Sequence, residues 1–210
     1  MIGVGLLTCD RPDYLAHSRL AIEMHLPWVE LFIHEDASRL GVANGKNVLF
    51  RAMLEAGCEW LFICEDDCYV ISPDVVDGYL EACLRSGYQH LGFGYNPRLN
   101  PEPSEVGPLL TIWPHFVAPW SIYSRTCLLN VGLMDEGFPG NLEHVEHTLR
   151  LARAGYAMLP NRLGRMADAT GSMGWLTNAD APSLIDMASF QASREYWSTK
   201  DPETYAMVWP

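Results

Sequence analysis

The sequence predicts an α/β fold, a mostly parallel central sheet flanked by helices, and three observations point there. Short apolar runs alternate with stretches of helical spacing across the first 87 residues, an order that builds βαβ units with right-handed crossovers. Each of the first three apolar runs ends in polar or acidic residues: Thr8-Cys9-Asp10, Glu35-Asp36 and Glu65-Asp66-Asp67. With 210 residues, 49% hydrophobic and 19% charged, the chain can bury one substantial core but is too short for two ordinary domains. One domain over residues 1–210 is expected.

The elements follow in order. "IGVGLLT" (2–8) is a short apolar strand, closed by "CDRPD", whose Pro12 bars continuation. "YLAHSRLAIEMH" (14–25) has helical spacing, and "WVELFIHEDAS" (28–38) is a second strand ending in acids. "GVANGKNVLFRAMLEAG" (41–57) reads as a glycine-punctuated loop leading into a helix that Gly57 stops. "EWLFICEDD" is the third strand, and "SPDVVDGYLEACLRSG" (72–87) a helix with a Ser-Pro entry and a Gly87 stop. "YQHLGFGYN" can form a further strand, and the four prolines of 97–108 mark a long surface loop. Residues 109–132 read as strand and then helix, "MDEGFPGN" as turns, and "LEHVEHTLRLARAGY" (142–156) as a helix ended by Gly155. There is no internal repeat and no low-complexity segment.

Bulk properties narrow the function. Acids exceed bases by 26 to 14, for a net charge of −12, which argues against a broad phosphate-tracking surface for nucleic acid. "MIGVGLLTCD" lacks the basic flank and cleavage site of a secretory signal, and no window approaches 18 uninterrupted apolar residues, so a soluble, cytoplasmic protein is expected. Six cysteines fit buried thiols better than a disulfide framework. Cys64 and Cys68 frame the acids as C-x3-C, yet no second cysteine or histidine pair stands at structural-zinc spacing.

The stretch "WLFICEDDCYV" poses the central problem. A buried strand that runs into three like charges needs partners, water or a metal to hold them. In crossover sheets ligands bind beyond the carboxyl ends of the strands, so the three polar tips should converge on one crevice.

The motifs, taken in order, resemble the GT-A class of nucleotide-sugar glycosyltransferases, family 2 in particular. "LLTCDRPDYL" is similar to that family's first strand and T-x-x-R-P turn, and "HEDAS" to its acidic second tip. "GVANGKN" resembles its G-x-x-x-x-R-N loop, with Lys46 where arginine is usual, and "EDDCYVISPDVV" its metal-binding D-x-D motif. "VGLMDEGFPGNLEHVEHTLRLARAGY" is similar to its G-x-x-D-E and E-D-x-D-x-x-x-R segments. The resemblance covers roughly residues 2–160.

It implies a GT-A domain with a nucleotide-sugar half (1–95), an acceptor and catalytic half (96–180) and a helical tail (181–210). It implies Mn2+ or Mg2+, hard cations that oxygen ligands suit, to neutralise the diphosphate as the sugar bond breaks. Asp67 would bind the metal, Glu65 and Asp66 would face the ribose or metal-bound water, and Asp36 would accept from uracil N3–H. Thr8, Arg11 and Asn47 would line the donor site, and Lys46 would stand near the diphosphate. Trp113, His115, Phe116, Trp120, Asp135 and Glu136 lie where sugar or acceptor contacts are expected. Plainer roles stand beside these: Asp36 as a helix cap, Lys46 as a solvated lysine, Asp135-Glu136 as a turn cap, Trp120 as core.

The chain departs from the family in "LEHVEHTLR". Family members carry an acid pair there, the second acid usually aspartate, and His144 takes that place. His144 can serve as base, as metal ligand or as a surface histidine; Glu143 and Glu146 are alternative bases. Residues three or four apart share a helix face, so Glu143, Glu146 and His147 go together, and His144 reaches the crevice if it sits at the start of the first turn. His144 and His147 are three apart, not the four of zinc-protease helices.

The leading reading is a metal-dependent transferase acting on a nucleoside-diphosphate sugar, with a uridine-linked donor expected, and an acceptor hydroxyl. A nucleotidyltransferase shares the fold, but its glycine- and basic-rich loop after strand one is missing from "TCDRPDYL". A non-catalytic nucleotide-sugar-binding or scaffold domain is the third reading. The tail "REYWSTKDPETYAMVWP" can pack on the domain or join two copies.

Overall fold

A computed structural model describes residues 1–96, 100–115, 117, 119–158, 166–168, 173–175 and 187–209. The chain runs β1 (Ile2–Thr8), α1 (Pro12–His25), β2 (Glu30–Glu35), α2 (Val42–Glu55) and β3 (Trp60–Glu65). It continues through β4 (Cys68–Val70), α3 (Val75–Ser86), β5 (His90–Gly92), β6 (Glu105–Val106), β7 (Thr111–Trp113) and β8 (Trp120–Ser124). Then come α4 (Arg125–Val131), α5 (Glu143–Arg153), β9 (Met166–Asp168), β10 (Met173–Trp175), α6 (Met187–Lys200) and α7 (Pro202–Val208).

The main sheet has the order β2-β1-β3-β8-β5. β1 pairs parallel with β2 and β3, while β8 is antiparallel to both β3 and β5. The register sets the site. Thr8 lies opposite Glu35, and Leu7 opposite Glu65, so three strands end at one level. Backbone hydrogen bonds extend the alignment, from Asp36 N–H to Thr8 C=O (2.9 Å) and from Asp66 N–H to Leu7 C=O (3.0 Å). Two smaller sheets, β10-β4 and β6-β7-β9, complete the described strands.

Alternation along β3 divides the core. Phe62 and Cys64 face α1 and α3, in a cluster with Val4, Leu6, Ile22, Tyr79 and Trp120. Leu61 and Ile63 face α2 and α5, with Leu7, Leu49, Phe50, Met53, Tyr123 and Leu151. α2 comes very close to β1: a Cβ at Gly3 would sit 2.9 Å from Met53 Sδ and one at Gly5 3.1 Å from Leu49 Cβ.

The segment read as a loop before the second helix is helical from Val42. Gly41, at φ 101°, swings the chain into the helix, and at Gly45 a Cβ would lie 2.5 Å from Leu7 Cδ1. Tertiary packing thus outweighs the poor helix propensity of Asn44 and Gly45. The Pro-rich stretch also carries a short strand, β6.

A third cluster joins Phe138, Leu142, Val145 and Leu149 to the fully buried Trp197 of α6, with Tyr205 and Trp209 around it. The tail therefore packs on its own chain. Among the described residues no helix is long and apolar enough to cross a membrane.

Candidate active site

A cleft of about 350 Å³ opens where the three strands end. Leu7, Thr8, Cys9 and Arg11 follow from β1, Asp36, Arg39, Gly41 and Val42 from the β2–α2 connection, and Glu65 and Asp67 from β3. The opposite wall is Gly140, Asn141, Glu143 and His144 at the start of α5.

The three consecutive acids have three different fates. Glu65 ends β3 and Asp66-Asp67 make the turn into β4, so each side chain meets a different environment. Glu65 accepts an ion pair from Lys46 Nζ at 2.7 Å. Asp66 is completely buried and turned inward, against the expectation that it faces ribose or metal-bound water. The Thr8 hydroxyl donates to its Oδ2 at 2.5 Å, Arg11 Nε donates to the same atom at 3.2 Å, and Arg11 Nη2 pairs with Oδ1. Asp66 is thus closed off from solvent, and Thr8 and Arg11, which line the cleft, direct the hydroxyl and the Nε and Nη2 groups to it.

Asp67 lines the cleft with a buried Oδ1 that has no hydrogen-bond partner. Burial first, and then the charge of Glu65, pushes this carboxyl well above the usual carboxylate range. A divalent cation supplies the missing positive charge, so Asp67 fits as a metal ligand. Among the described residues no three His, Cys, Asp or Glu side chains gather around one point. Asp67 could hold a divalent cation as hard cations are often held, by one carboxylate with water and a bound ligand's oxygens filling the remaining positions.

Lys46 is 1% exposed and is not a solvated lysine. Its Nζ also lies 3.5 Å from Glu143 Oε1. Burial alone would lower its pKa, but Glu65 and Glu143 outweigh burial and raise it, so it stays charged. Glu143 is buried as well: burial pushes it up, yet the hydrogen bond and charge of His144, then Lys46, bring it down to about 2. His144 Nδ1 sits 3.3 Å from Glu143 Oε1, and its buried Nε2 has no partner. Leu142, at φ 69°, turns the chain immediately before α5 and places Glu143 and His144 together on the cleft wall.

Asp36 is tied down by its own loop, accepting from Leu40 N–H and Gly41 N–H, each at 2.9 Å. It still lines the cleft, and a carboxylate has lone pairs beyond these two bonds. Beside it, Arg39 pairs with Asp10 at 2.6 Å; both take positive φ, 52° each, a conformation non-glycine residues seldom adopt.

Other expected site residues lie elsewhere. Asn47 is buried and bridges to Met134, donating to its C=O at 2.9 Å and accepting from its N–H at 3.0 Å. Glu136 accepts from Asn44, Asn47 and Arg51, locking α2 to this turn. Asp135 accepts from Gly137 N–H at 3.0 Å and from the Tyr196 hydroxyl at 2.9 Å, and pairs with Lys200, so it caps the turn and anchors α6. Glu146 faces away from the cleft, paired with Arg150 at 2.6 Å. Trp120 is fully buried core against Phe62. Trp113 packs over Gly94, whose added Cβ would fall 2.0 Å from its ring, and neither Trp113 nor the exposed His115 lines the cleft. Phe116 lies outside the described residues. Cys64 and Cys68 are buried thiols 3.7 Å apart, and Cys68 Sγ donates to Pro119 C=O. Cys9 lines the cleft from the first strand tip, as the sequence placed it, whereas sequence reasoning missed Arg39, since a non-glycine residue at positive φ leaves no periodic trace.

No protein-family model and no curated protein matches this chain. Solved structures do match in fold. A Drosophila β1,4-galactosyltransferase 7 mutant in complex with manganese, UDP-Gal and xylobiose superposes with a TM-score of 0.57 at 15% identity, over 90% of this chain and 79% of that one. A mannosyltransferase from Pyrobaculum calidifontis in complex with GDP-Man and Mn2+ gives 0.54, also at 15% identity, over 76% of this chain; the match spans 54% of that enzyme. The class defined by sheet order and strand-tip cleft is thus the GT-A α/β fold. The two structures described above are glycosyltransferases in complex with nucleotide sugars.

Proposed function

We propose that the protein is a metal-dependent glycosyltransferase that moves a sugar from a nucleoside diphosphate, preferably uridine-linked, to an acceptor hydroxyl. The observation that carries this is Asp67, a buried carboxylate oxygen without a partner at the level where three strands end in an open cleft. The cation it would hold supplies charge neutralisation to the departing diphosphate. Asp36 stands at the second strand tip, where a carboxylate lone pair accepts from uracil N3–H; cytosine has no proton there. We assign residues 1–95 to the nucleotide side and 96–180 to the acceptor side, since the cleft walls divide in the same way.

Calorimetry with UDP, CDP and GDP, each with and without Mn2+, tests the reading. Wild type should bind UDP more tightly with Mn2+, and Asp67→Asn should lose that gain while keeping its fold. CDP should bind more weakly by the roughly 1.5–3 kcal/mol of a hydrogen bond to a charged group. Metal-dependent UDP affinity that survives in Asp67→Asn would sink the assignment.

A further inference from the structure

Three titratable side chains meet at the α5 wall of the cleft: Glu143 and His144 on it, and Lys46 buried behind them. We infer that they form a relay in which Glu143, braced by Lys46, is a positioning residue and His144 Nε2 is the general base for the acceptor hydroxyl; this rests on the glycosyl-transfer reading above.

Hydrogen-bond chemistry carries the assignment. An ionised carboxylate only accepts, so at the Glu143–His144 contact of 3.3 Å the proton must sit on Nδ1. In the neutral imidazole the lone pair is then on Nε2. That atom is buried, has no partner among the described residues, and belongs to a side chain lining the cleft. Glu143 is itself fixed from behind by a lysine that is 1% exposed and cannot leave without abandoning a second carboxylate, Glu65. Glu143 is engaged by Lys46 and by His144 at Oε1, and against burial these contacts hold its carboxyl at about 2, which makes it a weak base. Glu146 faces Arg150, outside the cleft.

The step balances as follows. The acceptor O–H proton passes to His144 Nε2 as the acceptor oxygen bonds to the sugar's anomeric carbon. The bond from that carbon to the diphosphate oxygen breaks, and its electron pair leaves with the diphosphate. The imidazolium so formed donates through Nδ1–H to Glu143, whose negative charge stabilises it.

Two measurements test the relay. Long-range 1H–15N spectra of the imidazoles, with His144 assigned by its loss in His144→Gly, report the tautomer without any substrate. Wild type should be Nδ1-protonated, Glu143→Gln should keep that tautomer, and Glu143→Ala should lose it. The second measurement is Mn2+-dependent cleavage of UDP-glucose, UDP-galactose, UDP-N-acetylglucosamine and GDP-mannose with water as acceptor. His144→Gly should slow cleavage roughly 10²- to 10⁴-fold, keep Mn2+-dependent UDP affinity, and recover with added imidazole. Glu143→Gln should slow it roughly 10- to 100-fold, by loss of a charge-assisted bond. An Nε2-protonated His144, wild-type rates in His144→Gly, or loss of Mn2+ affinity in that variant overturns the relay. A wild type that binds no UDP with Mn2+ and cleaves no donor overturns the glycosyl-transfer reading, and the base assignment with it.

Discussion

Replacing Lys46 with methionine removes the cation that the half-buried Glu65 and the buried Glu143 share, at 2.7 and 3.5 Å. Methionine fills similar volume, so the cost is electrostatic rather than steric. Breaking a buried ion pair by deleting one partner typically costs about 3–5 kcal/mol, because the other charge is left stranded. Glu65, with 28% of its side chain exposed, is partly rescued by water, whereas Glu143 at 4% is not, so most of the loss should trace to Glu143. Against a total stability of about 5–15 kcal/mol this is easily measured by urea unfolding followed by tryptophan fluorescence. The pH dependence gives a second signature. In wild type Glu143 is held near 2, below its ordinary 4.5, so its contribution is complete above 4.5 and is lost as the pH falls through about 2. Without Lys46 the effect of burial is less opposed, the carboxyl's pKa rises, and protonation relieves the strain. The deficit of Lys46→Met should therefore shrink as the pH falls below about 5, and Lys46→Met/Glu143→Gln should recover at least half of it at pH 7. A loss under about 1 kcal/mol, or a deficit independent of pH, would refute the reasoning.

Other consequences can be measured alongside. His90 Nδ1 donates to Ile122 C=O, Nε2 of the neutral ring accepts from the Thr148 hydroxyl, and burial lowers its pKa to about 4. It stays neutral in the fold while the unfolded chain takes up a proton below 6.5, so stability present above 6.5 should fall towards pH 4 with a slope of about 1.4 kcal/mol per pH unit from this residue. His90→Gln should flatten the urea-midpoint profile by that amount. Asn47→Ala strands the Met134 backbone groups and should cost about 1–3 kcal/mol with UDP affinity unchanged by calorimetry. Trp197→Ala should cost about 3–5 kcal/mol in urea unfolding and raise proteolytic cleavage within α6.

The parallel β1–β3 core could be read from the sequence because local signals agree there: apolar runs, polar tips, and glycines at the packing contacts. The run of three acids could likewise be recognised as a site. Which acid does what could not, since that depends on Lys46 and Arg11, far away in sequence. Asn47 was hidden for the same reason, as its partner Glu136 lies 89 residues along the chain. His144 was expected in the crevice if it opened its helix, and the positive φ of Leu142 puts it there. The short strands β6, β7, β9 and β10, of two or three residues each, are too brief for any periodicity to mark.

The α6 helix, treated so far as packing, also imposes an order of assembly. It grips the turn ahead of α5 at Asp135, lays Tyr196 where a side chain at Gly137 would have to be, and accepts through Ser189 Oγ from Asn141 Nδ2 at 2.8 Å. Glu65, Asp67 and Asp36 belong to segments complete by residue 67, while the turn that leads into Glu143 and His144 takes part of its support from residues 189 to 200. During synthesis the strand-tip wall of the cleft therefore precedes the fully braced α5 wall. A nascent chain possesses one side of the cleft well before it possesses the other.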